Sequence, residues 1–311
     1  MILTILIPTY NRCNDLKYNL EMLTRFIKEM DAIQSISIMI SDNCSKDGTD
    51  VMLEKFVSNC EVSISYYIQK TNLGIEKNAL YLLKNAKSDY VMFLGDDDYL
   101  SIDYLQKVLL YISDKKQKIT VIFPNFYGID GEGRKCSEVR STPKEDIILK
   151  EGSKNLYFLF LAHQLSGLTF LKKKVWDAYC SRKLQNIYPF MFFAGYNLLR
   201  GNGVHITQSP VKVTQTNKKF WDYGNDGLLN DTMQNVKKLC GCNLTRFILE
   251  LQYIYKMHGM ATFILYKDKP FIFIKAILKA KNITLFGRIY YGIYMLYVAI
   301  LLRVLEVKNR L

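Results

Sequence analysis

Apolar positions along the first hundred residues switch repeatedly between two spacings. Ile2 to Ile7 is a short apolar run stopped by Pro8, after which Leu16, Leu20, Leu23 and Ile27 recur at helical intervals. Ile36 to Ile40 repeats the strand pattern and ends at Ser41-Asp42-Asn43. Gly48 and Thr49 then open a helical stretch through Leu53, Phe56 and Val57. Ile64 to Ile68 is a third strand, backed by a helical face of Ile75, Ala79, Leu82 and Leu83. Tyr90 to Leu94 is a fourth, and it stops at Gly95-Asp96-Asp97-Asp98. Strands alternating with helices in this way predict an α/β fold, with a mostly parallel central sheet covered on both faces.

The pattern loosens after residue 115. Val121 to Phe126 predicts a fifth strand, followed by turn residues from Ile129 to Gly133. Thr169 to Lys172 and Val204 to Thr207 predict further short strands. Thr216 to Asp231 is polar and holds Trp221, Asp222, Tyr223 and Gly224, so it reads as a loop leading into a helical C-terminal region. From Leu244 onward the chain is apolar, aromatic and basic. Ile289 to Leu302 carries no charge and is bracketed by Arg288 and Arg303. A spanning helix needs roughly 20 apolar residues, so this segment is too short to cross a bilayer. With Lys267, Lys269, Lys275, Lys279, Lys281, Lys308 and Arg310 around it, it fits either a basic helix lying on an anionic membrane or a buried helix with a solvated face.

Composition narrows the partners. The 311 residues are 49% hydrophobic and carry a formal net charge of +13, which favours anionic ligands or surfaces. The seven cysteines show no zinc-ligand spacing, and an odd number argues against a disulfide framework. With no export signal at the start, a cytoplasmic location is expected. No nucleic-acid-binding module is recognisable, and no GxGxxG follows a strand, so nucleic-acid and dinucleotide partners are not expected.

Ligands of open α/β sheets collect at the carboxyl ends of the strands. Three of those ends are polar here. Pro8-Thr9-Tyr10-Asn11-Arg12 follows the first strand, Asp42 ends the second, and Asp96-Asp97-Asp98 follow the fourth. Asp42 could accept from the imide of a pyrimidine ring or cap the following helix. Consecutive carboxylates repel one another, and holding a divalent cation such as Mn2+ or Mg2+ offsets that repulsion. A solvated turn before a helix is the plainer alternative.

These segments resemble the motifs of family 2 glycosyltransferases with the GT-A fold. The resemblance rests on Ile5 to Arg12, Ile40 to Thr49, Asn72 to Asn78 and Phe93 to Leu100, in that order, with a weaker echo from Ser166 to Trp176. The Gly-Asp-Asp-Asp form is similar to that of the abequosyltransferase-like branch, which builds bacterial surface polysaccharides. The resemblance implies a catalytic domain over residues 1–217 that binds a nucleotide-sugar. Residues 218–311 would then supply a loop and a helical, basic-apolar region for acceptor or membrane association. It implies a donor site of Pro8, Thr9, Tyr10, Arg12, Asp42, Lys77, Asn78, Asp96 and Asp97, and a metal held by Asp97 and Asp98. The acid that usually stands at the position of Gly95 is missing. The implied acceptor is a saccharide on a lipid carrier, at the inner face of the cell membrane. An inactive carbohydrate- or nucleotide-binding protein of the same fold is the alternative.

One expected part is absent. Many inverting members of this family place a general base after the Trp-containing turn, yet Asn186 to Phe193 contains no carboxylate. His163 and Asp222 are the candidate substitutes. Trp221 and Tyr223 could stack on an acceptor sugar or anchor their loop.

Overall fold

The computed structural model describes residues 1–140, 142–184, 186, 188–215, 229–253, 275 and 278–308. Strands β1 (Leu3–Thr9), β2 (Ile36–Asp42), β3 (Ile64–Ile68) and β4 (Tyr90–Phe93) alternate with helices α1 (Cys13–Glu29), α2 (Thr49–Ser58), α3 (Ile75–Asn85) and α4 (Ile102–Ser113). These four strands are parallel, and β1 lies between β2 and β4.

Strands β5 (Ile119–Ile129), β6 (Ile147–Leu149), β7 (Thr169–Leu171) and β8 (Asn202–Thr214) complete an eight-stranded sheet. Its order is β3-β2-β1-β4-β7-β5-β8-β6. β5 and β8 are parallel, β7 runs antiparallel to both β4 and β5, and β6 runs antiparallel to β8. A 3-10 helix (Ser153–His163) and helices α5 (Val175–Ser181), α6 (Pro189–Leu198), α7 (Leu229–Leu239), α8 (Asn243–Tyr253) and α9 (Leu285–Lys308) follow the second half of the chain.

The sequence pattern ends two strands early. β5 runs past Phe126 to Ile129, and β8 past Thr207 to Thr214, because Phe126 to Ile129 pair with Val211 to Thr214. The polar stretch expected to be a loop as far as Asp231 becomes helical at Leu229, where α7 begins. Trp221, Asp222 and Tyr223 lie outside the described residues.

Alternation along the strands builds a three-layer molecule. Leu3, Ile5 and Ile7 of β1 and Met92 of β4 face a core filled by Leu16, Leu20 and Leu23 of α1 and by Tyr104 and Leu105 of α4. Leu6, Val91 and Phe93 point the other way, onto α3 and α6. The same second cluster takes in Met233 and Val236 of α7, Leu249 of α8, and Tyr291 and Met295 of α9. The C-terminal helices therefore extend the layer under the sheet. Among the described residues, no helix is long and apolar enough to cross a membrane.

Candidate active site

The carboxyl ends of β1, β2 and β4 lie side by side, and the polar motifs converge there. Thr9 sits opposite Asp42 in the β1–β2 register. The chain leaving β4 stays beside β1, because the Leu94 amide donates to the Leu6 carbonyl at 3.0 Å. The Thr9 hydroxyl then reaches Asp96 Oδ2 at 2.7 Å, and the Arg12 guanidinium pairs with Asp97. Pro8 is half-buried beside this cluster, and Tyr10 is exposed at its edge.

Asp42 is buried and accepts from both the Ser45 amide, at 3.2 Å, and the Ser45 hydroxyl. Burial pushes its carboxyl above the usual range, against the pull of those donors. Asn78 is also buried, with both ends of its amide engaged by Ser41. It accepts from the Ser41 hydroxyl at 2.6 Å and donates to the Ser41 carbonyl at 2.8 Å. Asn78 thus fastens the start of α3 to the end of β2, and it leaves neighbouring Lys77 exposed at the rim.

The three acidic residues have different surroundings. Asp97 is partly open to solvent on the Arg12 side. Asp98 is buried, and both of its oxygens meet protein donors. The Thr214 amide reaches Oδ1 at 2.8 Å, and the Ser166 hydroxyl donates to Oδ2. Ser166 in turn accepts from the Gly95 amide at 2.9 Å. Burial, then the charge of Asp97, pushes the Asp96 and Asp98 carboxyls up to about 7.

Gly95 suits this close packing. A Cβ there would stand 2.9 Å from Asp98 Oδ2 and 3.2 Å from Ser166 Oγ. Under the turn, the fully buried Asn19 of α1 donates to the carbonyls of Asp98 at 2.9 Å and Gly95 at 3.2 Å. Sequence reasoning missed the roles of Asn19, Ser166 and Thr214. Asn19 left one signal, an amide set among Leu16, Leu20 and Leu23 on the buried stripe of α1.

Among the described residues, no three His, Cys, Asp or Glu side chains gather as a metal cage. A hard divalent cation that takes one or two carboxylates and completes its shell with diphosphate oxygens still suits this turn. Asp97, with Asp96 beside it, is the open part of the donor set, whereas Asp98 faces inward.

The start of α3 also meets α5. Glu76, in the first turn of α3, accepts from the Tyr179 hydroxyl of α5 at 3.2 Å. Burial raises its carboxyl, with Asp231 adding to the shift, while Tyr179, Lys77 and the Asn186 amide oppose it. The sequence did not single out this carboxylate. His163 is exposed at the end of the 3-10 helix, its ring 4.7 Å from that of Tyr188.

Comparison with known proteins agrees with this geometry. The model of the glycosyl transferase family 2 matches residues 4–177. Abequosyltransferase RfbV of Salmonella typhimurium is 35% identical over 116 residues, 37% of this chain and 34% of that protein. Poly(ribitol-phosphate) beta-N-acetylglucosaminyltransferase TarS of Staphylococcus aureus is 26% identical over 149 residues, 48% of this chain and 25% of that protein. The matched parts thus span about a third or less of those relatives' own lengths. The crystal structure of TarS 1–349 with UDP-GlcNAc superposes with a TM-score of 0.66 at 17% identity, over 89% of this chain and 80% of that one. The mannosyltransferase PcManGT of Pyrobaculum calidifontis, in complex with GDP-Man and Mn2+, gives 0.53 at 14% identity, over 96% and 86%.

Proposed function

Because this chain belongs to glycosyl transferase family 2, we propose that it moves a sugar from a nucleoside-diphosphate donor to a saccharide acceptor during synthesis of a bacterial surface polysaccharide. The convergence of Thr9, Arg12, Asp42, Asp96 and Asp97 at adjacent strand ends carries the reading. Asp42 offers a buried acceptor for a base edge, and Asp96, oriented by Thr9, offers one for ribose hydroxyls. Arg12 and the exposed Lys77 place positive charge where phosphates would lie. Asp97 would hold a manganese or magnesium ion, whose charge offsets that of the leaving diphosphate. Asp98 keeps the turn in shape from below.

Transfer to a hydroxyl releases a proton, and a carboxyl whose affinity for protons is raised suits its capture. Glu76 is assigned that role, since it stands two residues from the Asn78 contact that closes the end of β2. His163 and Asp222 remain the other candidates, and Trp221 and Tyr223 are proposed to stack on the acceptor. The acceptor is taken to be carried on a lipid at the cytoplasmic face of the membrane. The basic, apolar C-terminal region supports that placement.

The test is a panel of sugar nucleotides incubated with purified protein and Mn2+, scored for release of nucleoside diphosphate. One donor should turn over, and Asp97→Asn should lower that turnover by at least about a hundredfold. Equal turnover by Asp97→Asn would remove Asp97 from the mechanism, and no binding of any donor would refute the enzymatic reading.

A further inference from the structure

Among the described residues, helix α9 packs on the protein along one side and is largely exposed along the other, where Phe286 meets the Phe247 ring of α8 at 6.2 Å. Its buried side consists of Tyr291, Met295 and Val298, which join the core beneath the sheet. Its start is clamped to α8. The fully buried Glu250 accepts from the Thr284 amide at 3.0 Å and from the Thr284 hydroxyl, and pairs with Arg246 at 3.0 Å. Gly287 permits the approach, because a Cβ there would stand 2.3 Å from Glu250 Oε2.

The opposite side is apolar and exposed. Phe286 is 71% exposed, Leu285 67%, Ile293 64%, Leu296 63%, Tyr297 60% and Ile300 56%. At about 100° per residue these positions fall within one arc of roughly 120°. That arc holds no charge from Leu285 to Ile300. Exposed Lys275, Lys279 and Lys281 lie just before the helix. Scattered apolar side chains on a surface are ordinary, but a contiguous stripe of this length marks a contact.

We propose that this face of α9 is a docking surface for an anionic phospholipid bilayer, with the helix lying in the plane of the interface. The proposal deepens the membrane part of the function proposed above and rests on it only for the choice of acceptor. Three observations favour lipid. The lysines before the helix complement anionic headgroups, and the chain as a whole carries +13. Tyr297 sits among the aliphatic side chains, where an aromatic ring with a polar tip suits the headgroup boundary. The buried side of α9 is committed to the protein core, so lipid can reach the helix from one side only.

The experiment is flotation of the full-length chain with vesicles of phosphatidylcholine alone or mixed with phosphatidylglycerol. The chain should float with the anionic vesicles and much less with the neutral ones. Ile293→Gln combined with Leu296→Gln replaces two solvent-facing side chains, so the fold and the thermal midpoint should be kept. This variant should lose at least about tenfold in vesicle binding. Lys279→Gln with Lys281→Gln should weaken binding to anionic vesicles selectively. Unchanged flotation of the Ile293/Leu296 variant would overturn the proposal. So would absence of flotation together with a self-association, seen by sedimentation, that this variant abolishes, because the stripe would then join two copies of the chain. Donor turnover measured without vesicles keeps the two readings apart: its loss with flotation intact refutes the enzymatic reading and leaves the docking surface standing.

Discussion

Removing one hydroxyl, in Ser166→Ala, tests the internal support of the acidic turn. Ser166 is 1% exposed, and its oxygen serves two partners, accepting from the Gly95 amide and donating to Asp98. The substitution leaves the part-buried Gly95 N–H without this partner, which costs about 1–3 kcal/mol, and takes from Asp98 a bond worth about 1.5–3 kcal/mol when the carboxylate is ionised. The two effects share one site and are not additive, so a loss of about 3 kcal/mol is expected at alkaline pH. The sign of the pH dependence follows from Asp98. Its carboxyl in the folded chain is pushed up to about 7, so the stability it contributes is full below the ordinary value of 3.8 and lost as pH rises through about 7. The Ser166 bond favours the ionised form and thus softens that loss. Without it, the penalty should be near 1 kcal/mol at about pH 5.5, where Asp98 is mostly protonated, and should grow toward about pH 8. Urea unfolding of wild type and variant at the two pH values measures both quantities. A penalty of the same size at both would show that Ser166 does not support an ionised Asp98, and no penalty at all would refute the hydrogen-bond arrangement.

Asn19→Ala removes the donor from beneath the Gly95 and Asp98 carbonyls and should cost about 2–3 kcal/mol, read as a lower urea midpoint with an unchanged slope. A loss below half of that would mean that another donor replaces the amide. A cation held at the acidic turn competes with protons, because burial pushes the Asp96 carboxyl up to about 7. Mn2+ should therefore raise the thermal midpoint more at about pH 8 than at about pH 5.5, and an equal rise would place the ion elsewhere. Glu76→Gln should lower kcat/KM by at least about a hundredfold and remove the acidic limb of its pH profile, since only the ionised carboxylate accepts a proton. If the limb persists, the proton goes to another group.

The first half of the fold is legible because β1 to β4 and α1 to α4 obey simple periods. β1 and β4 are short apolar runs, and α1, α3 and α4 each have one buried stripe. α6 follows a different rule. Pro189 to Leu198 is buried on every side, so the contrast between faces that marks a surface helix is absent. β8 hides for a related reason. Gln208 to Pro210 interrupt its apolar run where the register with β5 shifts, and beyond them Val211 is buried while the exposed Lys212 is held by pairing with Tyr127 of β5. In the site, residues that face the crevice announced themselves as polar groups at strand ends. Those that work from below could not, because Ser166 and Thr214 lie 68 and 116 residues from Asp98 along the chain. Asn19 alone broke a pattern in its own helix.

The position of Gly95 shows how these hidden contacts bear on the departure from the family motif. An acid at that position and an inward Asp98 compete for one space, since even a bare Cβ would crowd Asp98 Oδ2 and Ser166 Oγ. The chain resolves the conflict by keeping Asp98 inside, where Ser166 and Thr214 hold it, and leaving the strand end with glycine. The next residue, Asp96, is then the first carboxylate to leave β4, and Thr9 at the end of neighbouring β1 fixes its direction at 2.7 Å. The glycine and the inward Asp98 are thus parts of one packing arrangement, and under the proposed function the acidic role falls to Asp96 and Asp97. The same logic assigns the two remaining carboxylates by environment. Asp97, with Arg12 beside it and solvent at its edge, is the one free to change partners if the proposed diphosphate and cation bind here. Asp98 cannot do so without abandoning both of its donors.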